Sequence, residues 1–198
     1  MEVTGRPLCS GCELPLAACL CAWVRPVDNQ VELIVLQHPA EAQQAKGTVR
    51  LLQRCLGRCQ VWVGEQFDEA RLRALPKADT ALLYPMDDTA KAGTCAADAK
   101  VERLILLDAT WRKSRKMLHL NPWLQTLPRL VLTELPPSAY AIRRAQRPEQ
   151  RSSLEAAALA LQQLEAQVSP TPDRYRPLWE AFEGFVALRQ SWSAGKRG

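Results

Sequence analysis

The sequence predicts an α/β domain built on a largely parallel sheet, preceded by a small cysteine-rich segment. Short aliphatic runs alternate along the chain with segments of helical periodicity, the pattern of a sheet covered by helices. The clearest run, Arg103 to Asp108, contains four consecutive aliphatic residues, as expected of a strand buried on both faces. Four of the seven cysteines fall within the first 21 residues.

The individual elements follow from periodicity and from proline. Apolar β-rich runs predict strands at 31–37, 61–63, 79–85, 103–108 and 129–133. Pro39 and Pro85 close two of them, because proline cannot donate to a strand ladder. Helical spacing predicts a loop and then a helix within 41–56, and further helices at 67–75, 110–118, 154–164 and 172–192. The last helix is amphipathic, with Leu178, Phe182 and Phe185 among its inward residues.

Composition favours one principal core. A chain of 198 residues with 47% hydrophobic residues can bury a sizeable interior, which excludes global disorder. No apolar run approaches the roughly 20 residues that span a bilayer, so no membrane partner is expected. The first residues lack the cationic and apolar regions of a signal peptide, and we expect a cytoplasmic protein. The predicted division is a cysteine-rich segment at 1–27 and an α/β domain at 28–198.

The clustered cysteines predict a structural zinc site. Their pattern is C-x2-C-x6-C-x-C, and the four are Cys9, Cys12, Cys19 and Cys21. Tetrahedral Zn²⁺ with four thiolates would fold a segment too short for its own core and would leave no open position for catalysis. Incidental reduced thiols are the alternative. Cys55, Cys59 and Cys95 are interpreted as small buried apolar groups.

The positive charge is concentrated in one part of the chain. The net charge is +5, yet ten basic residues oppose three acidic ones between Arg103 and Arg151. This excess predicts a surface for a polyanion, although a solvated helix face is the simpler alternative. The candidate RNA-binding residues are Arg112, Lys113, Arg115, Lys116, Arg144 and Arg147.

Three loops at strand ends are candidates for an active site, because open parallel sheets bind ligands at the carboxyl ends of their strands. They are the segments 38–48, 84–87 and 108–111. No glycine-rich dinucleotide or P-loop motif occurs, so a nucleoside cofactor should lack phosphates. His38 is assigned at most a loop-ordering role in binding.

Asp108 and Trp111 carry the main catalytic hypothesis. Asp108 ends an apolar strand and is either a helix N-cap or a catalytic carboxylate. Trp111 is either core or a stacking platform, and four cations follow it. A carboxylate, a flat aromatic and cations together suit an enzyme that modifies an RNA base. Downstream, Ser152 and Glu155 form a capping-box pattern, at a cationic helix start that would also suit an anion.

Several ordered motifs together resemble one family. They are the early cysteines, His38-Pro39-x-Glu41, Lys46-Gly47-Thr48-x-Arg50-Leu51-Leu52, Leu83-Tyr84-Pro85, Asp108-Ala109-Thr110-Trp111, Ser138-x-Tyr140-x-Ile142-Arg143 and Ser153-Leu154-Glu155-Ala156. This set resembles the DTW-domain proteins, the tRNA-uridine aminocarboxypropyltransferases. The resemblance implies a SPOUT-like α/β fold with a C-terminal knot. It also implies transfer of the 3-amino-3-carboxypropyl group from S-adenosylmethionine to N3 of a uridine in tRNA, releasing 5′-methylthioadenosine.

The resemblance also implies the site residues. Catalysis is expected from Asp108, Thr110 and Trp111, with Asp108 accepting the imide proton or orienting the imide. The residues expected around S-adenosylmethionine are His38, Lys46, Thr48, Leu83, Tyr84, Pro85, Leu107, Ala109, Tyr140, Arg143, Ser153, Leu154 and Glu155. Three alternatives stay open: the same chemistry on ribosomal RNA, a SPOUT-type RNA methyltransferase, and a zinc-stabilised RNA-binding module without catalysis.

Overall fold

A computed structural model describes residues 7–44, 47–88, 90–95, 100–132, 151–168, 171 and 173–194. Its centre is a five-stranded sheet in the order β2-β1-β4-β3-β5, and every pairing is parallel. The strands are β1 (Glu32–Gln37), β2 (Cys59–Val63), β3 (Thr80–Leu83), β4 (Arg103–Asp108) and β5 (Arg129–Leu130). The prediction of an α/β domain with a parallel sheet is therefore confirmed.

Helices cover both faces of this sheet. They are α1 (Pro39–Ala42), α2 (Val49–Cys55), α3 (Glu69–Arg73), α4 (Trp111–Leu120), α5 (Ser153–Val168) and α6 (Arg176–Ala194). Short 3₁₀ turns occur at Leu16–Ala18, Cys21–Trp23 and Pro122–Thr126. No helix within the described residues is long and apolar enough to cross a bilayer.

Side-chain alternation divides the core into two layers. In β1, Leu33 and Val35 face a layer formed with α2, α5 and α6, whereas Ile34 and Leu36 face a layer formed with α4. These four side chains are fully buried. A strand covered on both faces has to be apolar at successive positions, which explains the continuous aliphatic runs of β1 and β4.

The segment predicted as loop and then helix contains two helices. His38 precedes α1, and its Nδ1 accepts a hydrogen bond from the Ala40 N–H at 3.1 Å. Pro39 occupies the first position of α1, where a missing N–H costs nothing. Helix α2 then begins after Thr48. The predicted C-terminal knot depends on the path of residues 133–150, which lie outside the described residues.

Candidate active site at the carboxyl edge of the sheet

The three candidate loops lie side by side. Strand β4 pairs with β1 on one side and with β3 on the other, so the segments that follow these three strands meet at one edge. In this register Gln37 and Asp108, the last residues of β1 and β4, are direct partners. The main-chain N–H of His38 also donates to the Asp108 carbonyl at 3.0 Å. The central strand therefore presents Asp108 in the middle of the edge.

Two side chains hold the Asp108 carboxylate. Gln37 Nε2 donates to Oδ2 at 2.8 Å, and the Ser153 hydroxyl donates to Oδ1. Asp108 stays partly exposed. Thr110, not Asp108, is the N-cap of α4, so the alternative interpretation of Asp108 as a helix cap is wrong. The Asp108 carboxylate is instead held by one residue of β1 and one of α5, and each of its oxygens still has a lone pair available.

The start of α5 places Ser153 against Asp108. The Ser152 hydroxyl accepts from the Glu155 N–H at 3.2 Å, and Glu155 Oε2 accepts from the Ser152 N–H at 2.9 Å, which confirms the capping box. Thr48 Oγ1 accepts from the Leu154 N–H at 3.2 Å. Two N–H groups of the first turn are thus bonded within the chain.

Trp111 is a surface residue. Its side chain is 52% exposed, so the interpretation of Trp111 as core is wrong. Its ring meets Tyr84 edge-on, with the ring centroids 5.7 Å apart. The Tyr84 hydroxyl lies 3.0 Å from the Ser114 hydroxyl, and burial raises the pKa of Tyr84. Tyr84 therefore packs against Trp111, about half of whose surface remains exposed.

The cations of α4 are of two kinds. Lys116 donates to Glu65 at 2.6 Å, and Lys113 lies 3.5 Å from Glu41. Arg112 and Arg115 are exposed, and no ion pair is described for either. Glu65 also accepts from His38 Nε2 at 2.7 Å, and the hydrogen bonds from Lys116 and His38 lower its pKa. His38 thus orders the loop after β1, as predicted.

Two arginines of the basic stretch do not contribute to this surface. Arg103 is buried at the start of β4, where its Nε donates to Glu32 at 2.6 Å. Arg129 is fully buried, with its guanidinium 5.0 Å from the centre of the Tyr84 ring and 3.8 Å from Asp87. The charge excess that a polyanion would meet is therefore smaller than the sequence indicated.

Most of the predicted site residues in the described part of the chain converge on this edge. Leu83, Leu107 and Ala109 flank the ends of β3 and β4, and Pro85 is exposed just beyond them. Five predicted residues lie outside the described residues: Lys46, Tyr140, Arg143, Arg144 and Arg147. The sequence analysis missed Gln37, whose only signal is an amide at the end of an apolar strand.

The four clustered cysteines have the geometry of a zinc site. Their sulfur atoms all lie within 4.8 Å of one another. Cys9 Sγ is 3.4 Å from Cys19 Sγ and 3.8 Å from Cys21 Sγ. Four sulfurs at 2.3 Å from one tetrahedral ion would be separated by about 3.8 Å. The N–H of Cys12, the Cys19 thiol and the N–H of Gly11 hold the pKa of Cys9 at about 6, whereas the hydrogen bond with Cys9 raises the pKa of Cys21 to about 12.

The other cysteines are inert in comparison. Cys55 is buried, as predicted, and Cys59 and Cys95 are half-buried. Burial raises the pKa of all three, to about 12 for Cys59. Neutral thiols of this kind behave as small apolar groups.

The cysteine segment is packed against the helices of one core layer. Trp23 lies so close to α6 that a Cβ at Gly184 would be 2.0 Å from its ring. Arg54 of α2 donates to the Gly11 carbonyl, and Arg50 donates to the Cys12 carbonyl at 3.4 Å. The cluster is therefore attached to α2 and α6, away from Asp108.

Known proteins resemble this chain over most of its length. The DTW domain matches residues 6–190. The chain belongs to the DTW-domain family. A tRNA-uridine aminocarboxypropyltransferase 2 of Macaca fascicularis is 33% identical over 170 residues, covering 81% of this chain and 57% of the relative. The Mus musculus protein of that name is 33% identical, covering 87% and 61%, and the Drosophila melanogaster one is 31% identical, covering 87% and 72%.

The match covers only part of the length of these relatives. The chain spans about three-fifths of the length of the first two. No solved structure matches it.

Proposed function

We propose that this protein transfers the 3-amino-3-carboxypropyl group of S-adenosylmethionine to N3 of a uridine in tRNA, releasing 5′-methylthioadenosine. The observation that carries the proposal is the Asp108 carboxylate, held by Gln37 and Ser153 at the centre of the sheet edge and partly exposed. Membership of the DTW-domain family supports it, as do the names of the relatives.

The donor set fits S-adenosylmethionine. The edge formed by the ends of β1, β3 and β4 offers main-chain groups around Leu83, Leu107 and Ala109, and the Thr48 and Ser153 hydroxyls lie at its rim. No phosphate-binding loop is needed, because this cofactor has no phosphate. We assign the predicted cofactor contacts His38, Lys46, Thr48, Leu83, Tyr84, Pro85, Leu107, Ala109, Tyr140, Arg143, Ser153, Leu154 and Glu155 to this pocket as proposals.

The chain has to position two reactants and remove one proton. The sulfonium of the bound cofactor already activates the γ-carbon, so binding and orientation supply most of the rate. Bound S-adenosylmethionine would supply the activated γ-carbon, to which uridine N3 would bond while sulfur keeps the electron pair of the broken carbon–sulfur bond. Asp108 would accept the imide proton, or orient the imide while solvent takes the proton. Gln37 and Ser153 would hold the carboxylate in place for either role.

The surface beside Asp108 would bind the RNA. Trp111 is proposed to stack on an extruded base, and an exposed aromatic that packs against a second ring is suited to that task. Thr110, between Asp108 and the tryptophan, lies at the same rim and is exposed. The α4 cations Arg112, Lys113, Arg115 and Lys116 would contact the backbone, together with Arg144 and Arg147.

The cysteine cluster would hold a structural zinc ion. All four ligand positions would be filled by thiolates, so the ion would stabilise the segment and take no part in the transfer. Pure protein should contain about one zinc ion per chain, and stripping it with a chelator should lower the melting temperature. The predicted SPOUT-like knot and the cytoplasmic location belong to the same proposal.

The test is to incubate the protein with S-adenosylmethionine and unmodified tRNA and then to analyse the nucleosides and the small products by mass spectrometry. The expected result is uridine carrying an aminocarboxypropyl group, with one 5′-methylthioadenosine for each. A methyl gain with S-adenosylhomocysteine would reassign the protein to the methyltransferases. Modification of ribosomal RNA but not of tRNA would change the substrate.

A further inference from the structure

Four arginines on the side opposite α4 are not explained by the proposed active site. They are Arg25, Arg50, Arg54 and Arg58, which we call the arginine patch. Arg25, Arg54 and Arg58 are exposed and Arg50 is half-buried. Their guanidinium groups donate to main-chain carbonyls of Ala22, Cys12, Gly11 and Gln30, respectively. None of the four forms an ion pair with a carboxylate in the described part of the chain.

Main-chain pairing brings these arginines together. The segment after the cysteine cluster runs beside the end of α2, with the Val27 N–H donating to the Cys55 carbonyl at 2.7 Å. The Gly57 N–H returns to the Val27 carbonyl at 3.0 Å. Buried Asn29 accepts from the Arg58 N–H at 3.0 Å. Arg25 and Arg58 therefore both lie near the last turn of α2, which carries Arg54.

The charge of the patch remains positive. A carbonyl partner satisfies one or two of the five guanidinium N–H groups and leaves the cation without a counter-charge. Exposed acids on this layer include Glu13 and Asp28 and, on α6, Glu180 and Glu183, of which Glu180 pairs with Arg176; Glu102, whose pKa Arg58 lowers only weakly, pairs with Lys100. Guanidinium groups that are already oriented lose little entropy when they bind phosphate bidentately.

The patch begins at the rim of the active edge. Thr48, the N-cap of α2, bonds the N–H of Leu154, the neighbour of the Ser153 that holds Asp108. Arg50 follows two residues later, and the four residues from Arg50 to Arg54 advance about 6 Å along the helix. Helix α2 packs on one face of the sheet and α4 on the other. The patch therefore runs on the face opposite α4 from the rim of the Asp108 edge towards the amino ends of the strands, where Arg58 directly precedes β2.

We infer that the arginine patch is a second binding surface for the phosphate backbone of the RNA substrate, on the face of the sheet opposite α4. An RNA whose uridine reaches Asp108 would contact the patch with a part of its backbone that lies up to about 20 Å away, the length of one strand of the sheet. The inference rests on the proposed function only in taking tRNA as the polyanion. It gives a compact domain a contact with the RNA away from the modified nucleotide.

The test is the salt dependence of tRNA binding. Fluorescence anisotropy measures the binding constant at each salt concentration, in the absence of S-adenosylmethionine. The variant R54Q/R58Q removes two charges from the patch. The control R73Q/R176Q removes two exposed charges that are paired within their own helices with Glu69 and Glu180. The slope of log K against log salt should fall by about two in the patch variant, one for each lost phosphate contact, and stay unchanged in the control.

An unchanged slope in R54Q/R58Q, or an equal fall in the control, would overturn the inference. Zinc content is measured on each variant, because Arg54 also bonds the cysteine segment. If R54Q/R58Q loses zinc, the single variant R58Q is used to test the inference, because the guanidinium of Arg58 contacts Gln30 and not the cysteine segment. Its slope should fall by about one, and no fall would overturn the inference. Failure of the proposed chemistry would be distinguishable. The wild-type protein would then leave the tRNA nucleosides unmodified while its tRNA binding still showed the full salt dependence.

Discussion

Replacing Asp108 with asparagine should separate catalysis from folding. The side chain keeps its shape, and one oxygen can still accept the Ser153 hydroxyl. The new amide NH₂ would face Gln37 Nε2, which lies 2.8 Å from the present Oδ2, and two donors would meet. Rotation of the Gln37 amide by half a turn presents its oxygen instead and restores the hydrogen bond. The local structure can therefore survive the change.

The expected magnitudes differ between stability and turnover. Two hydrogen bonds to a charged acceptor become bonds between neutral groups, and each change costs about 1 kcal/mol. The variant should therefore lose about 1–2 kcal/mol of unfolding free energy, because part of the cost is recovered by not dehydrating a half-buried charge. Turnover should fall by about 10²-fold or more if Asp108 takes the imide proton, whereas affinity for S-adenosylmethionine should stay nearly constant.

Three measurements on one preparation test this separation. Denaturant unfolding gives the stability, calorimetry gives the affinity for S-adenosylmethionine, and the rate of 5′-methylthioadenosine release at saturating tRNA gives the turnover. Asp88→Asn is the matched control, because Asp88 is exposed in the neighbouring loop and no hydrogen bond of its side chain is described. Full turnover in the Asp108 variant would remove this residue from the mechanism, and collapse of folding would make its role structural.

Three further changes probe other parts of the molecule. Gly184→Ala should cost about 1–3 kcal/mol in denaturant unfolding, because the new Cβ would lie 2.0 Å from the Trp23 ring; an unchanged midpoint would refute this packing. Trp111→Ala should leave stability within about 0.5 kcal/mol, since the side chain is 52% exposed, yet raise the KM for tRNA about tenfold or more through lost stacking; equal KM values would exclude a stacking role. Hydrogen bonds from Lys116 and then His38 lower the pKa of Glu65 in the folded state, so its contribution is present at neutral pH and is lost as pH falls through that lowered value. Glu65→Gln should therefore flatten the fall in melting temperature below about pH 4.3, and an unchanged acid limb would contradict this.

The sequence predicted the central strand and the site edge well because both depend on burial. A run such as Leu104 to Leu107 has no stable place except between two covering layers, and β4 begins and ends at the predicted residues. Strands that alternate with helices are parallel, so their following loops gather at one edge. The position of Asp108 among the three loops followed from these two facts.

Other features depend on contacts that the sequence does not display. Gln37 meets Asp108 because β1 and β4 are neighbours in register, and nothing in the order of the elements fixes that pairing. The charge excess that indicated a polyanion surface included Arg103 and Arg129, whereas both side chains are buried beside carboxylates or rings. The arginine patch escaped notice for the opposite reason, since its members come from two separate segments and become neighbours only through main-chain pairing.

The most direct test of the central claim is a structure of the protein with S-adenosylmethionine bound. The sulfonium and its aminocarboxypropyl arm should lie at the edge formed by the ends of β1, β3 and β4, with the γ-carbon on the side of Asp108 and Trp111. The account would be contradicted if S-adenosylmethionine bound on another surface, so that a uridine in contact with the γ-carbon of the donor could not also reach Asp108.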